Sequence, residues 1–209
     1  MHFSFTRSDG VIVRVQIAAN VDIKKRLDEF GVGKKSTLPR DAQGRLYARA
    51  TYLKYNSAVE EFSAVVSSLD EWGRGRSVKE EERGESLMLL EAFDDADPRV
   101  AGALLLRSAW TNDVVIDFLV VNQQVTETRS PRLDGVGGLL CYAALSIGLV
   151  SGAERVLVET ASHTKKYWTR FCRDGCDLWR IEKTAVAVEN LAAILRSGGW
   201  TPEFHPNDE

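Results

Sequence analysis

Three strand-like runs, Ser86 to Phe93, Val100 to Trp110 and Val114 to Val121, follow one another across breaks of a few residues, Asp94-Asp95-Ala96-Asp97-Pro98 and Thr111-Asn112-Asp113. Breaks that short admit only an antiparallel meander, because a parallel crossover needs a dozen residues or more. A polar excursion, Asn122 to Arg132, comes next. Gly135 to Val150 is then apolar on most faces and reads as a buried helix, Arg155 to Thr160 as a strand, Thr164 to Phe171 as a helix, and Leu178 to Glu182 as one more strand. Strands, helix, strand, helix in that order place the chain among mixed α/β folds of the α+β type.

The flanking segments fit around this frame. Val11 to Ile17 is rich in β-branched residues, follows the turn pair Asp9-Gly10 and pairs with Phe3 to Thr6 as a hairpin. Val21 to Phe30 suits a short helix stopped at Gly31-Val32-Gly33, and Lys34 to Arg45, with Pro39 and Gly44, reads as a loop. From Tyr47 to Trp72, the apolar residues Leu53, Val59, Phe62, Val65, Val66 and Leu69 recur near the helical period. Gly73 to Gly84 is charged throughout and reads as a solvated loop. Val186 to Leu195 forms a last helix closed by Gly198-Gly199, and Pro202 to Glu209 reads as a tail. With 209 residues, the expectation is a single domain over 1–209, with a C-terminal helical extension over 184–209.

Composition removes several function classes. The net charge is −3 and no long basic block is present, so DNA binding is not expected. A local basic face from Lys34, Lys35, Arg40, Arg45, Arg49 and Lys54 leaves RNA open. The N-terminus lacks a secretory pattern and no apolar stretch reaches the ~20 residues of a membrane span, which predicts a cytoplasmic protein with no membrane partner. Cys141, Cys172 and Cys176 cannot all pair within one chain, and Cys172 with Cys176 lacks a second ligand pair, so no metal is expected.

The chemistry-bearing stretch is the strand Val114 to Val121 followed by Arg132-Leu133-Asp134-Gly135-Val136-Gly137-Gly138, a glycine-bearing turn that opens a helix. Without Cβ atoms at Gly135 and Gly137, backbone N–H groups can approach a diphosphate, and the positive end of the helix adds attraction. Two glycines before a helix also serve ordinary turns and close packing. A Rossmann site would need a parallel βαβ unit and its first glycine, and a Walker loop would need Gly-Lys-Ser/Thr. Neither is present.

At these residues the sequence resembles the GNAT superfamily of N-acetyltransferases. Arg132-x-x-Gly135-x-Gly137 is similar to that family's Gln/Arg-x-x-Gly-x-Gly/Ala pyrophosphate motif, and Leu119-Val120-Val121 stands where the family's splayed central strand ends. The resemblance covers about Glu85 to Phe171. It implies a mostly antiparallel sheet with a splayed strand flanked by helices, acetyl-CoA as co-substrate, and an amine acceptor attacking the thioester directly. It also implies cofactor contacts from Leu119, Val120 and Val121 to the pantetheine arm and from Arg132, Leu133, Asp134, Gly135, Val136, Gly137 and Gly138 to the diphosphate. Replacing Gly135 and Gly137 by bulkier residues is expected to abolish binding with little loss of folding. The excursion Asn122 to Pro131 is longer than in the family, and Tyr167-Trp168-Thr169-Arg170-Phe171 puts Trp168, not Tyr167, at the family's usual tyrosine position.

Asp117 is the acid of the central strand and a candidate base; strand alternation would set Val115, Asp117 and Leu119 on one face. A salt-bridged role is the alternative. Glu159 is a second candidate, and His163 stands in the loop that follows it. Tyr167 is the nearest phenol for protonating the leaving thiolate, against simple packing of its ring. Trp72, Trp110, Trp179 and Trp200 either line an acceptor pocket or fill the core. Three functions follow: acetylation of an amine on a small molecule or protein, acetylation of an aminoacyl-tRNA amine, or acyl-CoA-binding and protein interaction without catalysis. A homodimer is compatible with each.

Overall fold

The computed structural model describes residues 1–32, 39–61, 66, 68–72, 85–108, 111, 113–128, 130–153, 155–158, 165–168, 180–181 and 184–205. Strands β1 (His2–Arg7) and β2 (Ile12–Ile17) form the expected hairpin, its turn closed by Gly10 at φ 85°, a conformation that favours glycine. Helix α1 (Ile23–Glu29) is capped by Asp22, whose side chain accepts the N–H of Lys25 at 3.0 Å. Helix α2 (Pro39–Glu61) begins inside the stretch expected as a loop. Proline suits the first turn of a helix, where its missing N–H costs nothing. Gly44 lies within the helix, with the carbonyl oxygen of Val121 3.7 Å from where its Cβ would stand.

The meander appears as β3 (Ser86–Asp94), β4 (Asp97–Ser108) and β5 (Val114–Val121), all antiparallel. A single helical turn α3 (Gln123–Thr126) lies in the polar excursion and leads toward α4 (Val136–Val150). Then follow β6 (Val156–Val158), α5 (Lys165–Trp168), β7 (Arg180–Ile181), α6 (Thr184–Ser197) and β8 (Trp200–His205). The fold is a mixed α/β sheet flanked by helices, with the described strands in the order β7-β6-β5-β4-β3-β2-β1-β8. Among the described strands only the β5–β6 pair is parallel. No described helix is long and apolar enough to cross a membrane.

The stretch expected as a C-terminal tail is corrected here. Residues Trp200 to His205 form β8, which pairs with β1 over its whole length, from His2 opposite His205 to Arg7 opposite Trp200. The described part of the extension, residues 184–205, is therefore helix followed by strand. Pro202 within the run argued against a strand, but β8 is the sheet edge, where a missing N–H is tolerated.

Each face of the sheet carries its own core. On one face Met88, Leu90, Leu104, Leu106 and Ile116 pack under Leu139, Leu140 and Ala143 of α4 and Leu191 and Leu195 of α6. On the other, Leu89, Ala103, Leu105 and Val120 pack against Phe30, Tyr52 and Tyr55 beneath α1 and α2. A buried polar knot joins that second layer to the sheet. Glu91 of β3 accepts from Tyr52 Oη at 2.9 Å and pairs with Arg26 Nε at 3.0 Å. Burial pushes the Glu91 carboxyl up and the facing Arg26 opposes it.

Gly102 of β4 sets how closely α4 lies on the sheet. A Cβ there would stand 3.0 Å from Leu140 Cδ1, Val136 Cγ1 and the Val120 carbonyl oxygen, and the last of these is backbone that cannot step aside. Gly102→Val is expected to destabilise the fold by about 2 kcal/mol through overpacking, measured by urea unfolding with an unchanged slope.

Candidate functional site

The site begins at an irregularity in β5. Opposite β4, Leu105 pairs with Phe118 and Leu106 with Ile116, so Asp117 is the extra residue of a β-bulge. The bulge reverses the parity of the strand. Val114 and Ile116 face the α4 core before it, whereas Leu119 and Val121 face that core after it. Phe118 and Val120 turn to the α2 side. Asp117 and Leu119 therefore do not share a face, contrary to simple alternation, because one inserted residue shifts a period of two by half a cycle.

Two cations hold the Asp117 carboxylate, which is fully buried. Lys54 Nζ of α2 approaches Oδ2 at 2.7 Å, and Arg107 of β4 donates through Nε at 3.2 Å and Nη2 at 3.1 Å. Burial disfavours the Arg107 charge, but its bonds to Asp117 and Glu85 outweigh that and raise its pKa. The ion pair stakes the bulge to the α2 layer. It also takes up Lys54, one of the cations of the expected basic face; Lys34, Lys35 and the Arg40 side chain lie outside what the structure describes.

Before the bulge, β5 pairs with its parallel neighbour. Pairing with β6 runs from Val114 opposite Val156 to Ile116 opposite Val158. From Asp117 to Val121 no described strand lies on that side of β5, while β4 continues beside it as far as Gly102 opposite Val121. Asn122 fixes the far end. Its buried amide donates to the carbonyls of Glu29 at 3.0 Å and Val100 at 2.9 Å, and its Oδ1 caps α3. Nothing in the sequence singled Asn122 out beyond its place at a strand end.

The glycine turn lies after this strand end. Gly135 is the N-cap of α4 at φ 90°, and no side chain caps the helix. Its carbonyl accepts from Gly138 at 2.7 Å and Leu139 at 3.1 Å, which leaves the N–H groups of Val136 and Gly137 as the free donors of the first turn. Arg132 is exposed at the rim and pairs with Glu127 at 3.2 Å and Asp134 at 3.0 Å. Leu133 and Val136 are buried in the α4 core, so they offer the turn backbone groups and not side chains. Their apolar side chains anchor both ends of the turn.

Tyr167 and Trp168 divide the face of α5. Trp168 is buried in the core, and Tyr167 places its hydroxyl 2.9 Å from where a Cβ on Gly137 would stand and 3.8 Å from Cys141 Sγ. Burial pushes the Cys141 thiol up to about 12, which leaves it unreactive at neutral pH. The structure thus brings Tyr167, Val121 and the first turn of α4 together. Asp117 lies apart from them, on the opposite face of the sheet.

The expectation that Gly135 and Gly137 could be enlarged without loss of folding needs correction. At φ 90° any other residue at Gly135 is strained, and a Cβ at Gly137 would stand 2.9 Å from the Tyr167 hydroxyl, which would have to shift. Two residues from the ends of the chain meet the turn as well. Arg7 of β1 donates to the Arg132 carbonyl at 2.9 Å, and Trp200 of β8 lies beneath Gly135. Trp72 is buried in the core, whereas Trp110, Trp179, Glu159, His163, Cys172 and Cys176 lie outside the described residues.

Asp117→Asn is expected to lower stability by about 2 to 3 kcal/mol in urea unfolding, since it leaves Arg107 and Lys54 facing a neutral group. Both cations reach solvent in part, which keeps the cost at the lower end.

No family model matches the chain, and no curated protein matches it. Among solved structures, an acetyltransferase of the GNAT family from Staphylococcus aureus Mu50 aligns over 75% of this chain and 80% of its own, at 12% sequence identity and a TM-score of 0.43.

Proposed function

We propose that this chain is a GNAT-type N-acetyltransferase that moves the acetyl group of acetyl-CoA to a primary amine. The observation that carries the reading is the conjunction of a bulged strand with an uncapped, glycine-headed helix beyond its end. Strand backbone groups can pair with the amides of the pantetheine arm, and free helix N–H groups suit the diphosphate. The free amides of Val136 and Gly137 and the Arg132 guanidinium hold the phosphates in this reading, and Leu119 to Val121 hold the arm.

Acetyl-CoA supplies an activated carbonyl as its thioester. The acceptor nitrogen bonds to that carbon, the C–S bond breaks, and the departing sulfur takes the Tyr167 hydroxyl proton. A backbone N–H of β5 stabilises the carbonyl oxygen as it gains charge. The proton lost by the amine goes to a carboxylate or an ordered water. Asp117, paired with Lys54 and Arg107 on the opposite face of the sheet from Tyr167, fits the salt-bridged role better than that of the base.

Titration calorimetry with acetyl-CoA and CoA tests the reading. Binding in the micromolar range is expected, weakened at least tenfold by Arg132→Ala, a rim substitution that spares the core. Mass-spectrometric detection of acetylated product, with amines and charged tRNA as acceptors, then separates catalysis from binding alone. Tyr167→Phe is expected to lower kcat with acetyl-CoA affinity unchanged. Absence of binding at millimolar cofactor would overturn the assignment.

A further inference from the structure

We propose that Asn122 is a positioning residue for the cofactor, fixing the separation between the strand end that receives the pantetheine arm and the glycine turn that receives the diphosphate. The inference rests on the cofactor reading above for the identity of the ligand, and on the hydrogen bonds of Asn122 for the way it acts.

Asn122 is 2% exposed, and all four of its polar groups are paired. Its backbone N–H donates to the Ala101 carbonyl at 2.8 Å, which carries the β4 pairing one residue past the end of β5. Its side-chain nitrogen spends both hydrogens on carbonyls of two other elements, Glu29 at the end of α1 and Val100 in β4. Its Oδ1 accepts the Gln124 N–H at 3.2 Å. Two donors and an acceptor on so short a side chain describe asparagine alone, since aspartate has no donor when ionised and a hydroxyl has one. The residue type is set by this junction of β5, α1, β4 and α3.

The junction is relayed to the glycine turn. The Asn122 carbonyl accepts from Val125 at 3.1 Å and Thr126 at 3.0 Å, and the Thr126 carbonyl accepts from the Leu133 N–H at 3.0 Å. Leu133 is buried two residues before Gly135, so α3 is tied at its start to the strand end and at its finish to the turn. Gly31 seats the same helix: at φ 67° it follows α1, and a Cβ there would run into the Gln124 side-chain amide. A polar excursion between two ligand-holding segments would leave their separation loose unless something braced it. A ligand that reaches both segments gains from a fixed separation, because its second contact then costs little ordering, whereas a ligand that reaches one segment gains nothing.

The test is calorimetric titration of the wild type and of Asn122→Ala with CoA and with ADP, which carries a diphosphate and lacks the pantetheine arm. Asn122→Ala is expected to weaken CoA binding about tenfold and ADP binding by less than about twofold. A general loss of folded structure would lower both affinities together. Equal losses, or no loss for either ligand, would therefore overturn the proposal and leave the cofactor reading intact, since the wild type still binds CoA. Absence of CoA and ADP binding by the wild type would overturn both. Hydrogen exchange of the wild type covers the case of a variant that does not fold: saturating CoA is expected to slow exchange at the Gln124, Val125, Thr126 and Leu133 amides more than saturating ADP does. Equal protection by the two ligands would overturn the proposal.

Discussion

Everything on the functional side of the molecule depends on the buried ion pair between Asp117 and its two cations. A bulge is a local excess of one residue, and without an anchor it could migrate along β5 or be expelled. The Asp117 carboxylate, gripped by Lys54 from α2 and Arg107 from β4, fixes it at one position. The reversal of parity follows from that position, and with it Leu119 and Val121 turn toward α4 while Val120 turns toward Tyr52 and Tyr55. One charged contact thus decides which side chains line the strand end and which are withdrawn from it.

The second constraint is the seating of α4. Gly102 lets the helix descend until Val136 and Leu140 touch the sheet, and Leu133 and Val136 pin the turn that precedes it. The uncapped first turn is therefore held by apolar packing below and by the Arg7 contact at its side. Free N–H groups at a helix end are normally left to water; here they are presented by a rigid support, which reduces the ordering that an anion would have to bring about.

Much of this architecture could be read from residue order. Short polar breaks between β-branched runs identified the meander from Ser86 to Val121, and the continuous apolar stretch after Gly135 identified α4. The bulge could not be read, because an inserted residue leaves no compositional trace, and Asp117 in an apolar run looks like any acid on a strand. The early start of α2 was masked by Pro39 and Gly44, residues that break helices in general but are accommodated here by position. Strand β8 was masked by Pro202 and by exposed residues on both faces of an edge. Arg7 and Trp200 were missed for a related reason: their relation to the glycine turn exists only once β8 closes onto β1.

That closure has a bearing on how the molecule assembles. The pairing of His2 with His205 and of Arg7 with Trp200 joins segments separated by nearly the whole chain, a contact whose loop-closure entropy is among the largest the fold must meet. The floor of the glycine turn is made from these same two strands. A partly folded chain could therefore hold the meander and α4 in place and still lack a finished turn. Completion of the β1–β8 seam would be the late event, and the local stability of that seam, more than of the central strands, would govern how often the turn loses its floor in the native ensemble.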